Sequence, residues 1–123
     1  MTTYRRGDVV LLPFPYTDQS GSKRRPALIL STDAYNTRRA DIIVTPITSN
    51  LSTGQPDDTP LTDWAAAGLL KPSVVKGILG TVEQTLIVRV MGTVSAADLQ
   101  KVEQTFANIL GLDFIAQTVP FTP

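Results

Sequence analysis

Arg24 and Arg25 stand directly before Pro26 and the apolar run Ala27-Leu28-Ile29-Leu30, which places a guanidinium at the point where a loop becomes a buried strand. Loops carried on a rigid scaffold are the usual seat of binding and catalysis, and arginine offers a planar fork of donors that fits phosphate oxygens. A phosphate grip is one reading of these residues. A solvated basic loop ahead of an edge strand is the other, and the run by itself leaves both open. Thr48, at the end of Thr45-Pro46-Ile47-Thr48-Ser49, offers a hydroxyl, although the same residues suit any strand that runs into a turn.

The inventory of side chains narrows the chemistry. The chain has Cys 0 and His 0, which removes disulfides, thiolate nucleophiles, thiolate zinc sites and the commonest proton shuttle near neutral pH. A catalyst built here works with Arg, Lys, Asp, Glu, Thr, Ser or Tyr. Asp57-Asp58 is the only adjacent acidic pair, and in Thr53-Gly54-Gln55-Pro56 surroundings it reads as a solvated turn, so no metal ion or other cofactor is expected. The formal charge of +0 argues against bulk electrostatic binding of nucleic acid. Its distribution is uneven, however. Arg5, Arg6, Lys23, Arg24, Arg25, Arg38 and Arg39 outweigh Asp8, Asp18 and Asp33 by +4 within residues 1–39, and the remainder carries the compensating −4.

The elements that must position these residues are short. At 123 residues and 42% hydrophobic content the chain has enough apolar surface for one core, and one domain over 1–123 is expected. No apolar stretch approaches the length of a membrane span, and Met1 to Arg6 lacks the hydrophobic segment of a signal peptide, so a cytoplasmic protein is expected. Asp8 to Phe14 predicts a first strand, with too many consecutive apolar residues for a half-exposed one. A Pro, Asp, Ser and Gly loop follows over Pro15 to Ser22, then strands over Ala27 to Leu30 and Asp41 to Ile47, with Tyr35 to Arg39 as a connection. Ser49 to Pro60 is a second loop. Thr62 to Ala67 predicts a short helix ended by Gly68, and strands are expected around Ser73 to Thr81 and Leu86 to Val94. Ser95 with Asp98 resembles a capping box for a last helix, whose stripe Leu99, Val102, Phe106, Ile109 and Leu110 reads as core and which stops at Gly111. The tail Asp113 to Pro123 still carries Phe114, Ile115, Val119 and Phe121. Strands without regular helix alternation and one substantial C-terminal helix predict an α+β domain on a small, strongly bent barrel.

Arg6-Gly7-Asp8-Val9-Val10, Arg24-Arg25-Pro26-Ala27-Leu28-Ile29-Leu30-Ser31 and Pro46-Ile47-Thr48-Ser49, in this order and spacing, resemble the MazF/PemK toxins of bacterial toxin-antitoxin pairs. Gly68-Leu69, Pro72-Ser73-Val74-Val75, Thr81 and Leu86 through Gly92 also look like its PemK-like branch, so the resemblance spans nearly the whole chain. It implies an SH3-like β-barrel with added helices, of the CcdB/MazF type, in a homodimer that cleaves single-stranded RNA without a metal ion and is neutralised by a cognate antitoxin. The family's catalytic arginine and threonine match Arg25 and Thr48. Lys23, Arg24 and Ser49 become RNA contacts by proximity.

The chemistry implied suits the inventory. The RNA 2′-hydroxyl attacks its own phosphate, leaving a 2′,3′-cyclic phosphate and a 5′-hydroxyl, so the protein need only stabilise charge. Where some family members carry Arg-x-Asp, this chain has Lys76-Gly77-Ile78, so the acidic partner is missing, and Lys76 reads equally as a replacement cation or proton donor and as a solvated lysine at a strand end. Asp8 and Glu83 are the alternative carboxylates, although Asp8 reads rather as a cap or turn former at the strand entrance. Tyr16, in the first loop, is a candidate for stacking on a base, while Trp64 reads as a core anchor. Two other functions compete: a CcdB-like toxin that binds DNA gyrase without catalysis, and an inactive barrel that binds only a peptide.

Overall fold

The structure, a computed structural model, describes residues 3–13 and 23–112. The first loop with Tyr16, and the tail from Asp113, lie outside the described residues. The strands are β1 (Asp8–Pro13), β2 (Arg24–Ile29), β3 (Asp41–Thr48), β4 (Thr59–Pro60), β5 (Val74–Val75), β6 (Gly80–Glu83) and β7 (Arg89–Thr93), with helices α1 (Asp33–Arg38) and α2 (Ala96–Leu110). They form one antiparallel sheet in the order β4-β5-β3-β2-β1-β7, with β6 also paired to β3. The α+β architecture expected from the sequence is the one observed.

The apolar runs of β1 and β2 are unbroken because both faces of the sheet are covered. Val9, Leu28, Ile47 and Val75 pack with Val102 and Phe106 of α2, while Val10, Leu12, Ala27, Ile29, Ile42 and Val44 form a second cluster on the alternate face. The segment expected as one strand over Ser73 to Thr81 is two. β5 lies against Ile47 and Thr48 of β3, and β6 against Asp41 to Val44, so the two sit end to end along one edge. The step between them falls opposite Thr45 and Pro46. Thr45 Oγ1 donates to the Lys76 carbonyl (2.6 Å), and Lys76 N–H donates to the Pro46 carbonyl (2.9 Å).

Other expectations are corrected. Tyr35 to Arg39 belongs to α1, a helix capped by Thr32 Oγ1 on Tyr35 N–H (3.2 Å). An apolar stripe does not hold it. Instead buried Asn36 donates to the carbonyls of Tyr4 (3.1 Å) and Ser31 (3.2 Å). The short helix expected at Thr62 to Ala67 is a run of turns, ended as predicted at Gly68, whose φ is +85°. In α2, Val102, Phe106 and Ala107 are buried, but Ile109 and Leu110 of the predicted stripe are exposed in the last turn.

Asp98 does not close a capping box. Ser95 Oγ accepts from Asp98 N–H (3.1 Å), but the Asp98 carboxylate, 1% exposed, receives the N–H groups of Thr62 (3.0 Å) and Asp63 (2.8 Å) and the Lys101 ammonium (3.1 Å). It thereby ties the turns to α2. Burial raises its pKa, but the backbone bonds from Asp63 and Thr62 and the pairing with Lys101 outweigh it, and the net direction is down. A carboxyl lowered in the folded state stabilises fully above its unfolded value, near 3.9, and that contribution is lost as pH falls through the folded value. Asp98→Asn is therefore expected to cost about 2 kcal/mol at neutral pH and to flatten the decline in stability below about pH 4, as read by urea melts across pH.

Candidate active site

Arg24 and Arg25 belong to β2 and not to the preceding loop, because β1 extends far enough to pair them: Leu12 lies across from Arg25 and Pro13 from Arg24. On the other side of β2, Ala27 lies across from Pro46 and Leu28 across from Thr45. Pairing of β2 with β3 ends at Ala27 and Pro46, two residues short of Arg25 and of Thr48, the last residue of β3. A sequence separation of 23 residues is thus closed to within one groove, which both side chains line.

Arg25 is half-buried, and its Nε is fully buried without a hydrogen-bond partner among the described residues. Orphaned buried donors are rare, and a guanidinium in this state is set to receive acceptor oxygens from a ligand. Thr48 complements it. Its Oγ1 accepts the Asn50 N–H (3.1 Å), which fixes the hydroxyl while leaving its own hydrogen available to donate. Asn50 in turn accepts from Ser52 N–H (3.2 Å) and Oγ (2.6 Å), so the chain leaving β3 is ordered by local polar bonds.

A groove of about 290 Å³ gathers these residues. One wall is Arg24, Arg25 and Pro26 of β2, and the floor is Ile47, Thr48 and Ser49. The far wall is Leu69, Leu70, Lys71 and Ser73, with Met91 of β7. No carboxylate is among these lining residues. Lys71 was missed by the sequence reading. Its signal was present, since Lys71-Pro72 repeats the cation-proline step of Arg25-Pro26.

The remaining candidates are placed elsewhere. Lys23 is exposed ahead of β2 and does not line the groove. Lys76 also lies outside it, paired at 2.9 Å with Asp58, the two side chains only 18% and 8% exposed. Asp58 does form the expected turn, its carboxylate accepting Gln55 N–H (3.1 Å), but it is not solvated, because Lys76 needs a counter-ion there. Asp8 binds Arg5 N–H (3.0 Å) and the Thr93 hydroxyl (3.1 Å), four residues or roughly 13 Å along β1 from the partner of Arg25. Glu83 pairs with Asp41, roughly 23 Å along β3 from Thr48. Neither carboxylate is beside the groove. Trp64 packs against the core, as expected, but its half-buried indole also lines a neighbouring cavity.

The N-terminal charge excess is partly consumed by the fold. Arg6 bonds Glu103 of α2 (2.5 Å) and the Leu30 carbonyl (3.0 Å), and Arg39 bonds Asp41 (2.8 Å). The cations brought together at the groove are Arg24, Arg25 and Lys71.

Three comparisons bear on this arrangement. Residues 5–110 match the family described as PemK-like, MazF-like toxin of type II toxin-antitoxin system. No curated protein sequence matches the chain. Among solved structures, MazF from Deinococcus radiodurans superposes with a TM-score of 0.73 at 25% identity, covering 90% of this chain and 99% of that one. An endoribonuclease in complex with its cognate antitoxin from a mycobacterial species gives 0.72 at 23% identity over 92% and 98% of the two chains. Toxin MazF-mt6 of Mycobacterium tuberculosis gives 0.71 at 24% identity over 86% and 98%. A family match over most of the residues, on a fold shared with those toxins, shows that this chain belongs to the PemK-like, MazF-like toxins of type II toxin-antitoxin systems.

Proposed function

We propose that the protein is an endoribonuclease toxin that cleaves single-stranded RNA by substrate-assisted transfer, with no metal ion in the step. The observation that carries this reading is the meeting of Arg25, whose buried Nε has no partner among the described residues, and Thr48 in one cationic groove. A phosphate seated there receives the guanidinium on one side and the Thr48 hydroxyl on the other. As the 2′-oxygen bonds to phosphorus, charge grows on the equatorial oxygens, and both donors strengthen where that charge develops. The 2′-hydroxyl gives its proton to water, the bond to the 5′-oxygen breaks, that oxygen takes a proton from water, and a 2′,3′-cyclic phosphate remains. RNA is required, because DNA lacks the attacking hydroxyl.

Arg24, Ser49 and Lys71 hold flanking phosphates in this reading. Lys71→Ala is expected to weaken RNA binding and to reduce the slope of log affinity against log salt by about 0.7, the value for one contact to a single strand. Fluorescence polarisation across a salt series measures both. An unchanged slope removes Lys71 from the interface.

A cognate antitoxin neutralises the protein, and an acidic segment suits the cationic groove. The exposed apolar side chains Ile78, Leu79, Ile109, Leu110 and Leu112 support self-association into a homodimer. The catalytic reading is tested by incubating purified protein with a long single-stranded RNA in excess EDTA and mapping the ends. Cyclic phosphate and 5′-hydroxyl termini at a limited set of sites are expected. No cleavage, with inhibition of DNA supercoiling instead, would replace this reading with the gyrase-binding one.

A further inference from the structure

A second cavity of about 370 Å³ opens beside the groove, and Ser73 forms part of both. Trp64 lines it, held in place from behind by the core cluster that includes Leu61 and Ala67. Leu51, 54% exposed, and Pro72 form apolar lips. The polar groups are few. The Gln55 side-chain amide makes no hydrogen bond among the described residues, and Ser73 Oγ donates to the Lys71 carbonyl (2.8 Å), which leaves its lone pairs able to accept. Asp58, also in the wall, is neutralised by Lys76.

An apolar cavity with an aromatic wall and a few edge-on polar groups suits a flat heteroaromatic ligand. We propose that it receives a nucleobase of the RNA next to the cleaved phosphate, stacked on Trp64 and read along its edge by Gln55. The inference rests on the endoribonuclease reading. Continuity through Ser73 favours a base over a protein side chain: a strand whose phosphate sits on Arg25 must send its neighbouring bases along the groove walls, and unpaired bases splay onto aromatic rings. The amide of Gln55 offers a donor and an acceptor side by side, which an aliphatic side chain has no use for.

Trp64 is the sole tryptophan, so its emission reports on this cavity alone. The experiment titrates the full-length protein with a short 2′-O-methyl RNA of mixed sequence, which binds without being cut. Binding is followed by polarisation of an end label, and Trp64 by emission and acrylamide quenching. Quenched emission and protection from acrylamide, both saturating with the bound fraction, are expected. Trp64→Ala is expected to weaken binding about ten- to a hundredfold, and Trp64→Phe far less because a ring remains. Gln55→Ala, an exposed substitution that spares the core, is expected to redistribute cleavage among sites on a long RNA. Bound RNA with silent Trp64 emission, or an unaltered cleavage pattern in Gln55→Ala, overturns the inference while leaving the endoribonuclease reading intact. Emission that responds to an antitoxin peptide and not to RNA assigns the cavity to protein docking and overturns it as well. Absence of both binding and cleavage removes the two together.

Discussion

Arg25→Ala is expected to lower the rate of RNA cleavage at saturating substrate by about a hundred- to a thousandfold, the loss seen when one preorganised donor to a developing oxyanion is removed. The fold should survive. The Arg25 side chain makes no hydrogen bond or ion pair among the described residues, and its buried Nε is already unsatisfied, so truncation relieves desolvation and breaks nothing. Unfolding free energy is therefore expected to stay within about 0.5 kcal/mol of the wild type or to rise. Arg25→Lys keeps the charge but not the fork, and is expected to restore only part of the rate. Single-turnover cleavage paired with urea denaturation separates these outcomes. A destabilised Arg25→Ala protein, or one that cuts RNA like the wild type, would show that the guanidinium serves the fold and that the site lies elsewhere.

Gly68→Ala should have the largest effect on stability. The residue ends the turns after Leu61 with φ +85°, a left-handed backbone that side chains with a Cβ resist. Space is the harder limit: an added Cβ would sit 2.1 Å from the Met91 carbonyl oxygen and 2.6 Å from its carbon. Gly92 answers from the other side, where a Cβ would meet the Ala67 carbonyl oxygen at 2.5 Å and Gly68 N at 3.0 Å. Two backbones thus touch through paired glycines, and neither has a flexible side chain to move. Both strain and overlap act at once, so a loss above about 4 kcal/mol is expected, and Gly92→Ala should follow the same direction. The contact is also functional scaffolding. Leu69, Leu70 and Lys71 leave Gly68 directly, and Met91 precedes Gly92, so this contact sets the far wall of the groove. Residual soluble Gly68→Ala protein is expected to lose cleavage in parallel with its folded fraction. A wild-type melting curve would mean that the turn can move away from β7 without cost.

The elements most legible in sequence were those whose own residues decide them. Val9 to Leu12 and Ala27 to Ile29 are unbroken apolar runs and became the two-sided strands at the sheet centre. Ser95 and Gly111 bracket α2 by capping chemistry, with Leu112 N–H returning to the Ala107 carbonyl (2.8 Å). What was misread has a common cause. α1 is held by Asn36 reaching Tyr4, Ile109 and Leu110 of α2 are exposed, and Asp98 serves turns some 35 residues away. None of these partners is local.

The candidate site divides along the same line. By sequence alone the chain committed itself to chemistry without thiol or imidazole, to a guanidinium beside Pro26 and to a hydroxyl where β3 stops, because residue type and backbone bias are properties of single positions. Only the tertiary structure decided which cations count. Pairing of β2 with β3 brought Arg25 and Thr48 to one groove, Lys71 lines the same groove, and Asp58, Glu103 and Asp41 withdrew Lys76, Arg6 and Arg39 into ion pairs. Charge is written in the sequence, but whether it is available to a ligand depends on which opposite charge the folded chain carries to it.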